Sequence, residues 1–302
     1  LNMISNFGKP KAATQAQLND IIKRFANTAS VLKKAGFDGV QIHSAHGYLL
    51  SQFLSPITNK REDEYGGSLE NRARLLLRVI QSVRDAVGPE FPVAIKLNSS
   101  DFQKGGFSLE DCVKVAGWLG EDGVDLLEIS GGTYEQPRLL NVDGIEPVES
   151  QSVKASTRAR EAYFVDFAQA MRKELTVPLM VTGGLRRLDA MENALETGSA
   201  DVIGIGRPLC AMPDAINQLL SGREELPRFE NHLSLLPRWL KFLEAIKLFK
   251  TLGTFATQYW YYEQISLLGH TGEIDPKLSM FKATQRQMKS ATAWVAARPP
   301  SP

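Results

Sequence analysis

"PLMVTGGLRRLDAMENALETGSADVIGIGRPLC", residues Pro178 to Cys210, holds two short apolar runs that each end in glycine and arginine, with a helical pattern between them. Apolar runs of this length, rich in Val, Ile and Leu and followed by helix, read as parallel strands buried on both faces. Working back from this stretch, the same alternation recurs. "GVQIH" (Gly39 to His43), "PVAIKL" (Pro92 to Leu97) and "VDLLEIS" (Val124 to Ser130) read as three earlier strands, before "PLMVT" (Pro178 to Thr182) and "ADVIGIG" (Ala200 to Gly206). Helices are expected over Leu18 to Lys34, Asn71 to Val87, Ser108 to Trp118, Glu161 to Glu174 and Leu188 to Glu196. Five strands alternating with helices predict an α/β fold.

A doubly wound open sheet and a (β/α)8 barrel both satisfy that alternation, and the strand ends separate them. In a barrel the βα loops build the active site, and phosphate is commonly held by the loops after the seventh and eighth strands. "TGGLR" and "GIGRP" end the last two strands and suit that role. Gly183 and Gly184, then Gly206 and Arg207, offer free backbone N–H groups and one guanidinium, a combination matched to a phosphate ester. Counting backwards makes His43 part of strand four. The expected fold is therefore an incomplete TIM-type barrel with strands 4 to 8 present, over residues 1–210. Residues 211–302 then form a helical C-terminal extension with a disordered end in "ARPPSP". Within that extension, "LLPRWLKFLEAIKLFK" (residues 235–250) places Leu236, Trp239, Leu240, Leu243, Ile246 and Phe249 on one helical face.

Bulk composition narrows the partners. The 302 residues carry 35 basic and 34 acidic side chains, so there is no electrostatic footprint for nucleic acid. No apolar run approaches the roughly 20 residues a membrane span requires. Two cysteines make no disulfide framework, which favours a reducing compartment, with cytoplasm the default. The chain begins with Leu1, "LNMISNF", rather than Met, a start expected of a fragment, a processed chain or an incomplete gene model.

The chemistry concentrates after the first readable strand, in "HSAHGY". His43 and His46 lack the third and fourth ligands that zinc needs. As neutral imidazoles they can both donate to one carbonyl oxygen and stabilise charge building there. Tyr48, a phenol protonated at pH 7, can deliver a proton to a carbanion-like carbon. Lys96, inside the apolar run "VAIKL", must meet an anion, lose its charge or form a Schiff base.

Taken together these residues resemble the old yellow enzyme family of FMN-dependent oxidoreductases, in its NADH:flavin oxidoreductase branch. The stretch Ala35 to Leu77, "AGFDGVQIHSAHGYLLSQFLSPITNKREDEYGGSLENRARLLL", carries the resemblance most specifically, with "VTGGLR", "DVIGIGRPL" and "WYYEQISLLG" beside it. The resemblance implies FMN as cofactor and NADH or NADPH as reductant. It implies reduction of the activated C=C bond of α,β-unsaturated carbonyl compounds, a small electron-poor alkene being the substrate partner. His43 and His46 then hold the substrate oxygen, Tyr48 is the proton donor, and Lys96 stands beside the flavin ring. Gly183, Gly184, Gly206 and Arg207 cradle its phosphate. It also implies that further flavin contacts come from the three absent strands. Two other readings stay open: a cofactor-free, aldolase-like barrel with Lys96 as Schiff base, and a truncated inactive remnant. Whether the chain forms a homo-oligomer is left open as well.

Overall fold

The computed structural model describes residues 10–121, 123–130, 177–236 and 247–297, with Met171, Arg172, Leu175, Leu240 and Phe242 besides. The helix expected over 161–174, apart from Met171 and Arg172, lies outside the described residues. So do Gly131 to Thr133, Trp239, Leu243 and Ile246 of the apolar helical face of 235–250, and the chain end beyond Ala297. The chain forms two compact units, Leu1–Gly184 with Glu192–Gly204, and Leu185–Met191 with Ile205–Pro302.

In the first unit five parallel strands, β1 (Val40–Ser44), β2 (Val93–Asn98), β3 (Leu126–Ser130), β4 (Leu179–Thr182) and β5 (Val202–Gly204), pair in chain order. A doubly wound sheet reverses its strand order at a switch point. This sheet has no reversal, and its sequential order is the one a barrel wall uses. Each strand begins and ends within two residues of the apolar run that predicts it.

Helices α1 (Gln15–Lys34), α2 (Leu49–Leu54), α3 (Leu69–Val87) and α4 (Leu109–Glu121) belong to the same unit. Helix α1 starts three residues before its expected position because Thr14 and Gln17 close a capping box. Thr14 Oγ1 accepts from the Gln17 N–H at 3.3 Å, and Gln17 Oε1 accepts from the Thr14 N–H at 2.9 Å. Ser68 caps α3 and Ser108 caps α4 in the same way, each hydroxyl accepting from the N–H three residues on. Between them, Leu75, Leu76, Val79, Ile80 and Val83 recur at three-to-four spacing and are all buried, so α3 supplies a continuous apolar stripe.

Strand alternation gives the sheet two unlike faces. One row across the sheet is Ile42, Ile95, Leu127 and Leu179, paired in register and each at most 4% exposed. The adjacent row, on the opposite face, is His43, Lys96, Glu128, Met180 and Val202. It is polar toward β1 and remains accessible at both ends, with Val202 40% exposed. Parallel sheets are ordinarily covered on both faces. Here, among the described residues, the face that holds the predicted site residues is accessible at its two ends and buried at Glu128.

The second unit is helical in its described elements. It contains α6 (Arg207–Ala211), α7 (Ala215–Leu220), a 3-10 turn at Phe229–His232, α8 (Lys247–Thr271) and α9 (Met280–Ala296); α5 (Leu188–Glu196) is shared between the two units. Trp260, Tyr261, Leu278, Met280 and Ala283 form its core, and Trp260 Nε1 donates to the Leu278 carbonyl at 2.8 Å.

Candidate functional site

The turn after β1 is built from two consecutive residues in the left-handed region, His46 at φ 61° and Gly47 at φ 76°. Glycine adopts that region freely; histidine does so at a cost, which neighbouring contacts must offset. The His46 N–H donates to Asn98 Oδ1 at 3.0 Å. Asn98 is itself fixed, its Nδ2 donating to Asp101 Oδ1 at 3.1 Å, while Asp101 Oδ2 accepts the Phe107 N–H at 3.0 Å. Burial pushes the Asp101 carboxyl upward against these hydrogen bonds. The chain of contacts begins at the end of β2 and ends by turning His46 back over the strand that carries His43.

The three sequence-predicted side chains of this loop do meet. The His43 and His46 rings stand edge-to-face with centroids 5.2 Å apart, and the His43 and Tyr48 rings with centroids 4.9 Å apart. The Ala45 N–H donates to His43 Nδ1 at 3.2 Å, which leaves the proton of a neutral His43 on Nε2. His46 Nε2 lies 2.5 Å from Ser130 Oγ at the end of β3. With Ser130 as donor, the remaining His46 proton sits on Nδ1. Burial, then the nearby Lys96 cation, lowers the pKa of both rings, that of His46 to about 4. Both imidazoles are therefore neutral donors at pH 7. Tyr48 is 45% exposed at the head of α2.

Lys96 is paired in register with His43 on one side and Glu128 on the other. Its Nζ donates to Glu128 Oε1 at 2.7 Å, and Gln41 Nε2 donates to Glu128 Oε2 at 2.8 Å. Burial opposes ionisation of Glu128, but the hydrogen bond and charge of Lys96 and the amide of Gln41 hold its carboxylate below the usual range. Of the three fates open to a lysine in an apolar strand, this is the first: it meets an anion. A Schiff-base nucleophile must present a neutral amine, whereas this pair uses Lys96 as a cation.

Glu128, Gln41 and Ser130 contact the predicted site or its lysine and are neighbours that the sequence reading does not name. Glu128 interrupts "LLEIS" as Lys96 interrupts "VAIKL", so a charged residue in an apolar run was the available signal. Gln41 and Ser130 carry no such signal; only strand register brings them in.

The predicted phosphate residues fall in both units. Gly183 (φ 144°) and Gly184 (φ 77°) follow β4 in the first, where positive φ calls for glycine. Gly206 and Arg207 belong to the second. A Cβ on Gly206 would meet nothing within 4 Å, so its neighbourhood is open to a ligand. Arg207 is joined there by Arg186, only 3% exposed, whose Nε finds no acceptor among the described residues. A buried guanidinium with an unmet N–H beside a second guanidinium is the donor set a phosphate ester fits. No group of three or more His, Cys, Asp or Glu side chains that could hold a metal occurs among the described residues, and no described helix is long and apolar enough to cross a membrane.

Residues 3–225 match the family described as NADH:flavin oxidoreductase / NADH oxidase. An NADH-dependent flavin oxidoreductase of Talaromyces variabilis is 40% identical over 208 residues, which is 68% of this chain and 49% of the relative. An NADH oxidase of Thermoanaerobacter brockii is 35% identical over 217 residues, 72% of this chain and 31% of that one. Among solved structures, morphinone reductase in complex with tetrahydroNAD superposes with a TM-score of 0.56 at 28% identity, covering 73% of this chain and 54% of that one. A 2-naphthoyl-CoA reductase complex gives a TM-score of 0.64 at 28% identity, covering 73% and 32%. The chain thus belongs to the NADH:flavin oxidoreductase / NADH oxidase family. It spans about half or less of the length of these curated relatives.

Proposed function

We propose that this chain supplies the substrate-facing wall and phosphate residues of an FMN-dependent oxidoreductase that reduces the activated C=C bond of α,β-unsaturated carbonyl compounds at the expense of NAD(P)H. The observation that carries the reading is the gathering of two neutral imidazoles and a phenol beside a paired ammonium, on the accessible face of a parallel sheet. On this reading the five strands are consecutive strands of a (β/α)8 barrel, complete only in a longer polypeptide. The barrel part runs to residue 210, followed by a helical extension over 211–302.

When bound, FMN supplies the hydride chemistry, accepting from NADH or NADPH and donating to the alkene β-carbon. The chain's own residues do the rest. Charge that builds on the substrate oxygen is met by His43 Nε2–H and by the His46 ring, which donate without first having to lose a proton. Tyr48 delivers its phenolic proton to the α-carbon. Lys96 presents a cation to the flavin ring, one of its three N–H donors being used to anchor it to Glu128. In the second unit Gly206 and Arg207, with Arg186 added, would hold the phosphate; Gly183 and Gly184 would offer backbone N–H groups at the end of β4.

Anaerobic incubation with FMN, NADH and a cyclic enone tests this. The reading expects FMN-dependent formation of the saturated ketone. Borohydride trapping of a carbonyl compound on Lys96, with no dependence on flavin, would replace it with the aldolase-like reading.

A further inference from the structure

The second unit contains an arrangement that the flavin reading leaves unexplained: Arg207 is already occupied. Its Nη1 lies 2.8 Å from Glu230 Oε1, and Arg186 Nη2 approaches the same oxygen at 3.7 Å. The other carboxylate oxygen, Oε2, accepts the Tyr261 hydroxyl from α8 at 2.7 Å. The backbone brings Glu230 here, because the Leu226 N–H donates to the Arg186 carbonyl at 2.8 Å and the Leu188 N–H to the Glu224 carbonyl at 2.8 Å. The segment around residues 224–226 is thereby tied along residues 186–188, and the 3-10 turn that follows delivers Glu230 to the arginines.

Guanidinium groups gather at this point. Arg207 and Arg228 both lie close enough to Arg186 to act on its charge, as does Glu230, and Arg228 pairs with Glu225 at 3.0 Å. Among the described residues, the buried Nε of Arg186 has no acceptor. A buried guanidinium with an unmet donor beside a second guanidinium is adapted to a further anion. Burial opposes ionisation of Glu230, but Arg207, the Tyr261 hydroxyl and Arg186 hold it as a carboxylate; burial and Glu230 push the Tyr261 phenol upward, keeping it a donor.

We propose that Glu230 is a resident counter-ion of the phosphate-binding arginines, a carboxylate that holds Arg207 and Arg186 in the absence of cofactor and competes with the phosphate of FMN for Arg207. The inference rests on the FMN reading above and adds a term to it. Phosphate takes Arg207 from Glu230, and Tyr261 retains the released carboxylate through Oε2. The helical second unit is then a determinant of cofactor affinity.

The test compares FMN with riboflavin, which has the same ring and no phosphate, in calorimetric titrations of wild type and Glu230→Gln. Glu230→Gln is expected to bind FMN about three- to tenfold more tightly, the scale of a partly exposed ion pair removed from competition. Riboflavin affinity should not change. Unaltered or weaker FMN binding would overturn the inference, weaker binding meaning that Glu230 orients Arg207 for phosphate. Equal tightening of riboflavin would overturn it too, as a general conformational effect. Saturable FMN binding to neither protein would remove the flavin reading itself, and this inference with it. If Glu230→Gln fails to fold, Glu230→Asp, which keeps the charge but withdraws it by one methylene, is expected to shift FMN affinity in the same direction.

Discussion

Lys96 Nζ and Glu128 Oε1 lie 2.7 Å apart on neighbouring parallel strands, at positions that the sheet register pairs directly. Glu128 is 4% exposed and Lys96 is half-buried, so neither charge can be left to solvent. Removing one partner strands the other, which is more costly than removing both. Glu128→Leu and Lys96→Met should each destabilise the chain, and the double variant by less than their sum. The coupling expected from urea unfolding is about 0.5–3 kcal/mol. Strict additivity would mean that the pair contributes nothing to folding.

His46 gives the fold a pH dependence whose sign follows from its lowered pKa. Between about pH 6.5 and about 4 the unfolded chain binds a proton at this ring that the folded chain does not. Stability contributed by the neutral ring is thus complete above the unfolded value and declines as pH falls through this window. At about 1.4 kcal/mol per unit the loss is on the order of 3 kcal/mol. Urea denaturation across this range should have a shallower pH slope in His46→Asn than in wild type. Imidazole NMR showing His46 protonated at pH 6 would contradict the assignment.

Tyr48 enters the proposed reaction only when the α-carbon is protonated, after the flavin has been reduced. Tyr48→Phe should leave the nicotinamide half-reaction unchanged and slow the alkene half-reaction. Stopped-flow measurement of the two halves separates these outcomes. Wild-type alkene reduction in the variant would assign the proton to another donor.

Gly204 and Gly206 stand two residues apart and answer to different constraints. A Cβ on Gly204 would lie 1.8 Å from Thr182 Oγ1 across the β4–β5 pair, whereas one on Gly206 meets nothing within 4 Å. Gly204→Ala should cost about 1–3 kcal/mol by overpacking. Gly206→Ala should barely alter thermal stability and instead weaken FMN. The reverse pattern would exclude Gly206 from the phosphate site.

The contrast shows what could be read from the chain alone. Apolar runs between glycine-closed helices identify β1 to β5 because burial on the helix-facing side demands them. Lys96 stands out because an ammonium does not belong among Val, Ala, Ile and Leu. Glu128 obeys the same logic but reads as part of its strand, since its partner becomes known only when register sets β2 against β3. Ser130 and Asn98 are ordinary strand-end residues until the left-handed turn at His46 needs them. Glu230, in "ELPRFENHLS", follows no periodic pattern, and only the backbone pairing of residues 186–188 with 224–226 carries it to Arg207.

The central claim is that Lys96 and its row face a flavin, and the visible spectrum of FMN titrated with the 302-residue chain tests it most directly. Binding should perturb the flavin band saturably, and Lys96→Met should weaken it. A flavin band that does not respond to the chain, or responds identically to wild type and Lys96→Met, would contradict the account.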